Sequence, residues 1–341
     1  MPFESTDRRT LGRTGLSVTR LGFGAASIGG LFRAVSDEEA VATASRAWEL
    51  GIRTFDVAPL YGYGAAERRL GTSLAGRPRD AYVLSTKVGR LIRATDEIPP
   101  GADVDRQAID GREDAYYVGT GRVRVVFDYS ADGVRRSIEE SLTRLGLDRI
   151  DIALIHDPDD HWREAIEGAW PALARMREEG TIRAVGVGMN QSAMLARFAR
   201  EGDFDVFLVA GRYTLLDQDA LAELLPLCVD RGIGVLLGGV MNSGVLADPR
   251  PGSNFNYRPA PPPVVERARR IAAVCDRHGV ALRAAAIQFP LAHPAVVSLI
   301  AGVRRIDHLE EYPELMRRPI PGELWDELRA EGLIAAEAPV P

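Results

Sequence analysis

The sequence predicts a single (β/α)₈ TIM barrel spanning residues 1–341, with an N-terminal β-hairpin cap and long βα loops at the C-terminal face. Eight short apolar runs alternate with amphipathic stretches along the chain. Strands apolar enough to be buried on both faces are typical of a parallel sheet that is covered by helices. Eight such units close into a barrel, and 341 residues suit a barrel with insertions. An open doubly wound sheet is the alternative fold.

The elements follow one another in a regular order. Ahead of the first unit, RRTLGRTGLSVTRLG has turn residues between strand formers and predicts a hairpin that caps the barrel bottom. The first helical stretch, DEEAVATASRAWELG, has acids in its opening turn and Gly51 placed to end it. PGELWDELRAEGLI predicts one further helix outside the barrel. The predicted strands are RLGFGAA, TFDVAP, AYVLSTKV, IDIALIHDP, AVGVGMN, DVFLVAG, GVLLGGV and VVSLIAGV.

Two connections are too long for plain βα loops. Residues 90–129 follow the third strand, and residues 241–263 follow the seventh. Both leave the C-terminal ends of strands, which is the face where barrels place their active sites. We therefore expect these two segments to cover a substrate.

Composition excludes several classes of function. The net charge of −6 and the lack of a basic run argue against a nucleic-acid or anionic-membrane partner. The N-terminus lacks the apolar core of a signal peptide, and no apolar stretch is long enough to span a bilayer, so a cytoplasmic protein is expected. Cys228 and Cys275 are expected to be reduced, buried thiols. HDPDDH at 156–161 resembles a loop leaving a strand, and no metal site is expected.

Four titratable side chains stand where predicted strands end. Asp56 ends the second strand, with Tyr61 five residues later; Lys87 ends the third strand, and His156 ends the fourth. Lys87 is also the only lysine in a chain with 42 Lys and Arg residues. Adjacent parallel strands lie about 5 Å apart, so these groups should meet at the barrel mouth.

This set of residues is suited to proton transfer by a phenol. A tyrosine with an ordinary pKa near 10 is a poor acid or base at neutral pH. An adjacent ammonium should lower the pKa of Tyr61, while Asp56 holds the Lys87 ammonium in place. His156 beside the phenol could orient a carbonyl or hydroxyl oxygen. Arginine could replace neither the compact charge nor the proton exchange of Lys87.

The sequence resembles the aldo-keto reductase superfamily over nearly its whole length. The motifs are GIRTFDVAPLYGYGAAERRLG, LSTKVGR, RSIEESLTRLGLDRIDIALIHDPD, GVGMN and LIAGVRRIDHLEE. The resemblance implies a barrel that binds NAD(P) across its C-terminal face and passes hydride between nicotinamide and a carbonyl or alcohol carbon. It also implies that Tyr61 carries the proton. HDPDDH, FDYSADGVRRSIEESL and GGVMNSGVL are most similar to the L-fucose and D-threo-aldose 1-dehydrogenase branch.

The resemblance also implies cofactor contacts. Asn190 matches the asparagine that binds the nicotinamide carboxamide, and Arg304 matches a cofactor-contacting arginine. His308 stands where NADP-preferring members commonly have an arginine, so NAD is favoured over NADP. Ala210 and Gly238 depart from the family, which often has glutamine and tyrosine at these positions. The full set of expected cofactor contacts is Gly24, Ala25, Asp56, Asn190, Gly239, Asn242, Gly302, Arg304, His308 and Glu311.

The resemblance further implies oxidation of a sugar at its anomeric carbon. Polar and aromatic residues of the two long connections could bind a polyhydroxylated ligand: Asp103, Asp105, Arg106, Gln107, Asp110, Tyr116, Tyr117, Asn242, Ser243 and Asn254. A general NADPH-dependent carbonyl reductase is an alternative, and so is a cofactor-binding regulatory subunit without significant turnover. The partner expected in each case is a small molecule, and the sequence leaves the oligomeric state open.

Overall fold

The chain begins with a small antiparallel hairpin. The computed structural model describes residues 3–105, 108–109, 112–113, 117 and 123–341. Strands β1 (Arg8–Thr10) and β2 (Ser17–Thr19) pair with each other. Leu11, Leu16 and Val18 are buried in a cluster with inward-facing residues of the sheet that follows. The predicted hairpin cap is confirmed.

Eight parallel strands close into a barrel, as predicted, so the open-sheet alternative is wrong. Each strand pairs with the next in chain order, and the last pairs with the first. The barrel strands are β3 (Leu21–Gly24), β4 (Thr54–Asp56), β5 (Val83–Val88), β10 (Ile152–His156), β11 (Ala184–Met189), β12 (Val206–Ala210), β13 (Gly234–Gly238) and β16 (Val296–Ala301).

These strands are buried along almost their full length, which accounts for their continuous apolar runs. One glycine is required by close packing inside the sheet. A Cβ on Gly186 in β11 would lie 1.9 Å from the Val206 oxygen of the neighbouring strand. Larger residues are therefore excluded at that point, and the two strands approach closely.

Helices cover the outside of the barrel. Helix α1 starts with a capping box between Ser36 and Glu39, which satisfies two free amides at its N-terminus. The helices are α1 (Asp37–Glu49), α2 (Ala65–Leu74), α3 (Ala131–Leu145), α4 (Trp162–Glu164), α5 (Trp170–Glu178), α6 (Ser192–Glu201), α7 (Leu224–Arg231), α8 (Pro262–Arg277), α9 (Leu282–Leu291), α10 (Ile306–Arg317) and α11 (Gly322–Ala330). Short 3₁₀ turns lie at Ser27–Gly29, Arg79–Ala81 and Asp219–Leu221, and Ala165–Ala169 forms a π-helical turn between α4 and α5.

The two long connections contain strands of their own. The first carries β6 (Arg90–Ala94), β7 (Ala108–Ile109), β8 (Arg112–Glu113) and β9 (Val123–Phe127), with β6 antiparallel to β9 and β7 antiparallel to β8. The second carries the β14 (Asn254–Phe255) and β15 (Arg258–Pro259) hairpin. A bridge between Leu31 and Tyr117 joins the first connection to the loop after β3. Both segments therefore lie at the C-terminal face, as predicted.

None of the helices within the described ranges has the length and apolar character needed to cross a bilayer.

Candidate active site

Lys87 is buried at the end of β5 with all three ammonium protons engaged. Its Nζ donates to Asp56 Oδ1 at 2.9 Å, to Asp56 Oδ2 at 2.7 Å and to the Val57 carbonyl at 3.1 Å. Ser85 Oγ donates to Asp56 Oδ1 at 2.7 Å. A buried ion pair is tolerated when hydrogen bonds satisfy both partners, as they do here. The ammonium is therefore fixed in a single position.

Tyr61 lies beside this ion pair, on the turn between β4 and α2. Its ring centroid is 4.6 Å from Lys87 Nζ. The turn depends on Gly62, whose φ is +61° and whose Cβ, if present, would lie 2.2 Å from the Gly29 oxygen. A side chain at Gly62 would therefore displace the residue that carries the phenol.

The pKa of the Tyr61 phenol differs from the sequence-based expectation. Burial raises this pKa well above its ordinary value, and the Asp56 carboxylate raises it further. The prediction that Lys87 lowers the pKa is wrong for the protein in this state. The ammonium already faces the Asp56 carboxylate, and the cost of burying a phenolate is the larger effect. The neutral phenol is accordingly the favoured form at neutral pH.

His156 completes the predicted set at the end of β10. Its ring is 5.8 Å from that of Tyr61 in an edge-to-face arrangement. Burial, Arg90 and Lys87 together hold the pKa of His156 well below its usual range, so the imidazole is neutral. His156 Nδ1 is buried and has no hydrogen-bond partner among the described residues. The uncharged His156 ring lines a cavity and can therefore orient a polar ligand there.

The four predicted residues meet at a cavity of about 230 Å³. Tyr61, Lys87, His156 and Asn190 line this cavity, and Asp56 lies behind Lys87. Further lining residues are Ala26, Leu31, Leu60, Tyr117, Asp157, Asp159, Gly188, Met189, Gln191, Leu208, Ala210 and Tyr257.

Several of these lining residues were not predicted from the sequence. Asp157 directly follows the predicted His156, so its place in the chain was an available signal. Tyr257 reaches the cavity from the second long connection, and no local pattern marks it. Tyr117 was included among the aromatic residues of the first connection, and it does line the cavity.

A larger and more open groove of about 550 Å³ lies elsewhere, beside Arg13 at the hairpin cap. Arg13 and Asp203, which line it, form an ion pair with each other. The groove contains none of the predicted site residues.

The expected cofactor contacts fall into three environments. Gly24 and Ala25 are buried, and Ala26 lines the cavity at that point. Asn190 lines the cavity and donates to the Ala210 carbonyl at 2.9 Å. The others are outside the cavity lining, and Gly239, Gly302 and His308 are exposed.

Asn242 and Glu311 already have partners within the protein. Asn242 is buried, donates to the Gly211 carbonyl at 3.1 Å and accepts from Thr214 Oγ1 at 2.6 Å. A cofactor contact through the Asn242 side chain would have to use its second amide proton or its second oxygen lone pair. Glu311 forms an ion pair with Arg283.

The start of α10 presents the remaining predicted contacts. Arg304 is half-buried, and burial together with Arg33 and Arg305 lowers its pKa. Within the described part of the chain, Arg304 makes no ion pair, whereas Arg305 binds Asp307 at 2.9 and 2.6 Å. The free amides at a helix N-terminus add positive potential here. Arg304 therefore gives this corner a positive charge, while Asp307 offsets the charge of Arg305.

Polar residues predicted to bind a sugar are largely used by the connections themselves. Asp103 contacts His161 Nε2 at 2.7 Å, and Asp105 accepts from Arg90 at 2.8 Å. Ser243 Oγ accepts from the Tyr257 amide at 3.1 Å. Asn254 lies in β14, and it does not line the cavity. Arg106, Gln107, Asp110 and Tyr116 lie outside the described residues.

Comparison with known proteins identifies similar chains. A model of the aldo/keto reductase family matches residues 20–331. D-threo-aldose 1-dehydrogenase of Pseudomonas sp. is 44% identical, covering 94% of this chain and 96% of the relative. Pyridoxal 4-dehydrogenase of Microbacterium luteolum is 42% identical, covering 98% of this chain and 100% of the relative. The holo form of an aldo-keto reductase from Bacillus halodurans superposes with a TM-score of 0.72 at 25% identity, covering 98% of each chain.

Proposed function

Since the chain belongs to the aldo/keto reductase family and is therefore an oxidoreductase that uses a nicotinamide cofactor, we propose that it oxidises a cyclic hemiacetal to a lactone. An aldose of the L-fucose and D-threo series is the proposed substrate. The observation that carries this proposal is the buried Asp56–Lys87 pair beside Tyr61 and His156, at the base of a cavity bordered by carboxylates.

The names of two similar proteins support a hemiacetal as the substrate class. One is named for an aldose at position 1 and the other for pyridoxal at position 4. An aldose closes on itself when a hydroxyl adds to its aldehyde, and pyridoxal does the same through a neighbouring hydroxymethyl group. Both compounds therefore offer a ring carbon with one hydroxyl and one hydrogen, and removal of both hydrogens produces a lactone.

The residues present fit a nicotinamide dinucleotide. Asn190 lines the cavity beside Tyr61 and His156, with its side-chain carbonyl available to an amide. Arg304 and the start of α10 form an electropositive corner that suits a pyrophosphate. The bound oxidised nicotinamide supplies the hydride acceptor.

We assign the proton step to Tyr61. As the hydride leaves the anomeric carbon, the anomeric hydroxyl gives its proton to the Tyr61 oxygen, and the carbon–oxygen bond becomes the lactone carbonyl. This direction requires the phenolate, which is the minor form of Tyr61 at neutral pH because burial and the Asp56 carboxylate raise its pKa. The neutral phenol serves the reverse reduction. The neutral His156 ring orients the reacting oxygen, and Asp56 holds Lys87.

We propose NAD rather than NADP as the preferred cofactor. His308 lies exposed in the first turn of α10, where a dianionic phosphate would favour a bidentate arginine. Arg305 is already paired with Asp307. Among the described residues, Arg304 and the nearby Arg33 remain as cations for a phosphate at this corner, and both can serve the pyrophosphate.

We also infer that the protein works in a reducing, cytoplasmic compartment on a small molecule. Cys228 and Cys275 are both buried free thiols, a pattern that suits such a compartment. The negative net charge does not favour nucleic acid or an anionic membrane as a partner.

The test is a spectrophotometric panel with NAD and NADP. We expect reduced cofactor to form with L-fucose or D-arabinose, faster with NAD, and pyridoxal should be included for comparison. The Tyr61→Phe variant is the control for cofactor reduction that does not use the site. If no hemiacetal is oxidised while aromatic aldehydes are readily reduced with NADPH, the carbonyl reductase alternative replaces this proposal. Cofactor binding without turnover of any compound would favour the regulatory subunit.

A further inference from the structure

We propose that Asp157 is the specificity-determining residue of this site and accepts a hydrogen bond from a hydroxyl on the carbon next to the reacting carbon. The inference rests on the proposed hemiacetal oxidation and adds a structural requirement to it. Substrates should carry oxygens on two adjacent carbons, so that one carbon is oxidised beside Tyr61 while the hydroxyl on the other is bound by Asp157.

The backbone holds Asp157 in an unusual conformation. Its φ is +38°, in the left-handed region that non-glycine residues rarely adopt, although Asp and Asn do so more often than the others. Its amide donates to the Gly188 carbonyl at 3.0 Å, and its own carbonyl accepts from Tyr129 Oη at 3.2 Å and from Arg90 Nη2 at 3.3 Å. Strained residues fixed by their surroundings are concentrated at functional sites.

This conformation places the Asp157 carboxylate beside His156. Oδ2 lies 3.5 Å from His156 Nε2 and 3.4 Å from Arg90 Nη2. The side chain lines the cavity and is 25% exposed. A ligand whose reacting carbon lies between Tyr61 and His156 would therefore bring its neighbouring carbon toward Asp157.

The carboxylate retains capacity to bind a ligand. The buried Arg90 guanidinium meets Asp105 at 2.8 Å, a closer contact than its 3.4 Å approach to Asp157. Among the described residues, no hydrogen bond shorter than 3.4 Å reaches the Asp157 carboxylate. Asp159, the other carboxylate on the cavity, already accepts from the Gln191 amide. An ionised carboxylate only accepts, so its ligand must donate, as a hydroxyl does.

The position of this hydroxyl distinguishes an aldose from pyridoxal. An aldose carries a hydroxyl on C2, directly beside the anomeric carbon, whereas the phenolic hydroxyl of pyridoxal lies one carbon further from the reacting carbon, so an aldose fits the proposed contact better. A hydrogen bond to a charged group contributes about 1.5–3 kcal/mol, which corresponds to roughly 10- to 150-fold in rate or affinity. Loss of that hydroxyl should reduce kcat/KM by a factor in this range.

The ionisation of Asp157 provides a second way to observe the contact. Burial raises the pKa of Asp157 to about 6, with opposing effects from the charges nearby. Below this pH the carboxyl becomes neutral and binds a hydroxyl less strongly. The groups that face it are Arg90, Lys87, Asp105, Asp159, His156, Tyr61, Tyr117 and Tyr129.

The experiment compares D-arabinose with 2-deoxy-D-ribose, which is the same compound as 2-deoxy-D-arabinose. We expect the unmodified protein at pH 8 to prefer D-arabinose in kcat/KM by roughly 10- to 150-fold. Asp157→Asn, which tolerates a positive φ, should reduce the preference to about threefold or less. Asp160→Asn, an exposed position on the same loop, should keep it. NADH binding measured by fluorescence reports whether each variant is folded.

The kcat/KM preference of the unmodified protein for D-arabinose over 2-deoxy-D-ribose should also shrink as pH falls from 8 to 5. This measurement tests the inference without any variant. A preference that survives in Asp157→Asn, or that is constant with pH, overturns the inference while the proposed function stands. Equal loss of activity on both sugars in Asp157→Asn also overturns the inference, because Asp157 would then act only by positioning His156 and not by binding the substrate hydroxyl. If the unmodified protein oxidises neither these sugars nor any other hemiacetal, the proposed function falls, and this inference falls with it.

Discussion

The two ends of the candidate site are built differently. At the chemical end, Lys87 and Asp56 are buried and bonded to each other, with Tyr61 and His156 beside them. At the end that we propose to bind the nucleotide, the nucleotide end, His308 and Arg305 are exposed, and Arg304 is half-buried near Arg33, Arg305 and Glu39. One end is a set of buried groups around a hydrogen-bonded ion pair, whereas the other presents positive charge at the surface.

This difference matches what each end has to do. Proton transfer depends on geometry held within a fraction of an ångström, and buried groups with complete hydrogen bonding provide it. Attraction of a phosphate depends mainly on net charge and tolerates mobile side chains, although exposed charges are screened by salt. Substitutions at the chemical end should therefore change rates greatly, while those at the nucleotide end should shift binding modestly.

The largest effect is expected from Lys87→Arg. A guanidinium cannot place three protons on Asp56 and Val57 in the space of the ammonium, so the charge beside Tyr61 would move. We expect kcat to fall by about 10²- to 10⁴-fold, with NADH affinity nearly unchanged. Stopped-flow or steady-state assays with the best hemiacetal measure the rate, and fluorescence titration measures the affinity.

Tyr61→Phe provides the comparison for that variant. The two single substitutions should cause losses of similar size, and the double variant should lose little more, because both disable one proton-transfer unit. Turnover by Lys87→Arg within a few-fold of the parent would mean that the position of the charge is unimportant.

A smaller effect is expected from Arg90→Lys, at the edge of the chemical end. Arg90 donates to Asp105, which lies in the first long connection, and to the backbone carbonyl of His156. The same carbonyl also accepts from Tyr129 Oη at 2.7 Å. An ammonium cannot reach all of these partners, and an under-satisfied buried group costs about 1–3 kcal/mol. We expect that loss in the free energy of urea unfolding, and about a tenfold fall in kcat/KM.

Arg93→Lys is the matched control for Arg90→Lys. Arg93 lies on the same strand, β6, and pairs with Glu140 in a partly exposed position. Its replacement should change stability by less than about 1 kcal/mol. Equal effects at both positions would show that the contacts of Arg90 with the site have no special importance.

The sequence predicts the parts of the site that depend on local patterns, and it does not predict the parts that depend on distant contacts. Strand ends are set by short local patterns, so the positions of Asp56, Lys87 and His156 could be predicted with the barrel itself. The partners of Asp103 and Asp105 could not be predicted, because only the fold brings these residues to His161 and Arg90. Tyr257 arrives from a distant connection, and no local pattern signals it.

Two further failures have general physical causes. Helix α9 was not predicted because its residues are apolar almost all round, so they lack the two-sided periodicity of a surface helix. The direction of the Tyr61 pKa shift was wrong because a sequence gives the identity of a neighbouring charge but not the cost of burial.

The smallest effect is expected at the nucleotide end, from His308→Arg. This substitution adds a permanent charge in the first turn of α10, near Arg304, at an exposed position. Exposed charge pairs contribute about 0.2–1 kcal/mol, so NADPH should bind up to about fivefold more tightly while NADH changes by less than twofold. Fluorescence titrations at low and high salt should show the NADPH gain shrinking as salt rises. If NADPH affinity is unaffected at low salt, the 2′-phosphate does not lie near residue 308, and the argument for NAD from His308 is lost. If NADPH already binds the unmodified protein more than tenfold better than NADH, Arg304 and Arg305 must hold the phosphate together, which would require Arg305 to leave Asp307.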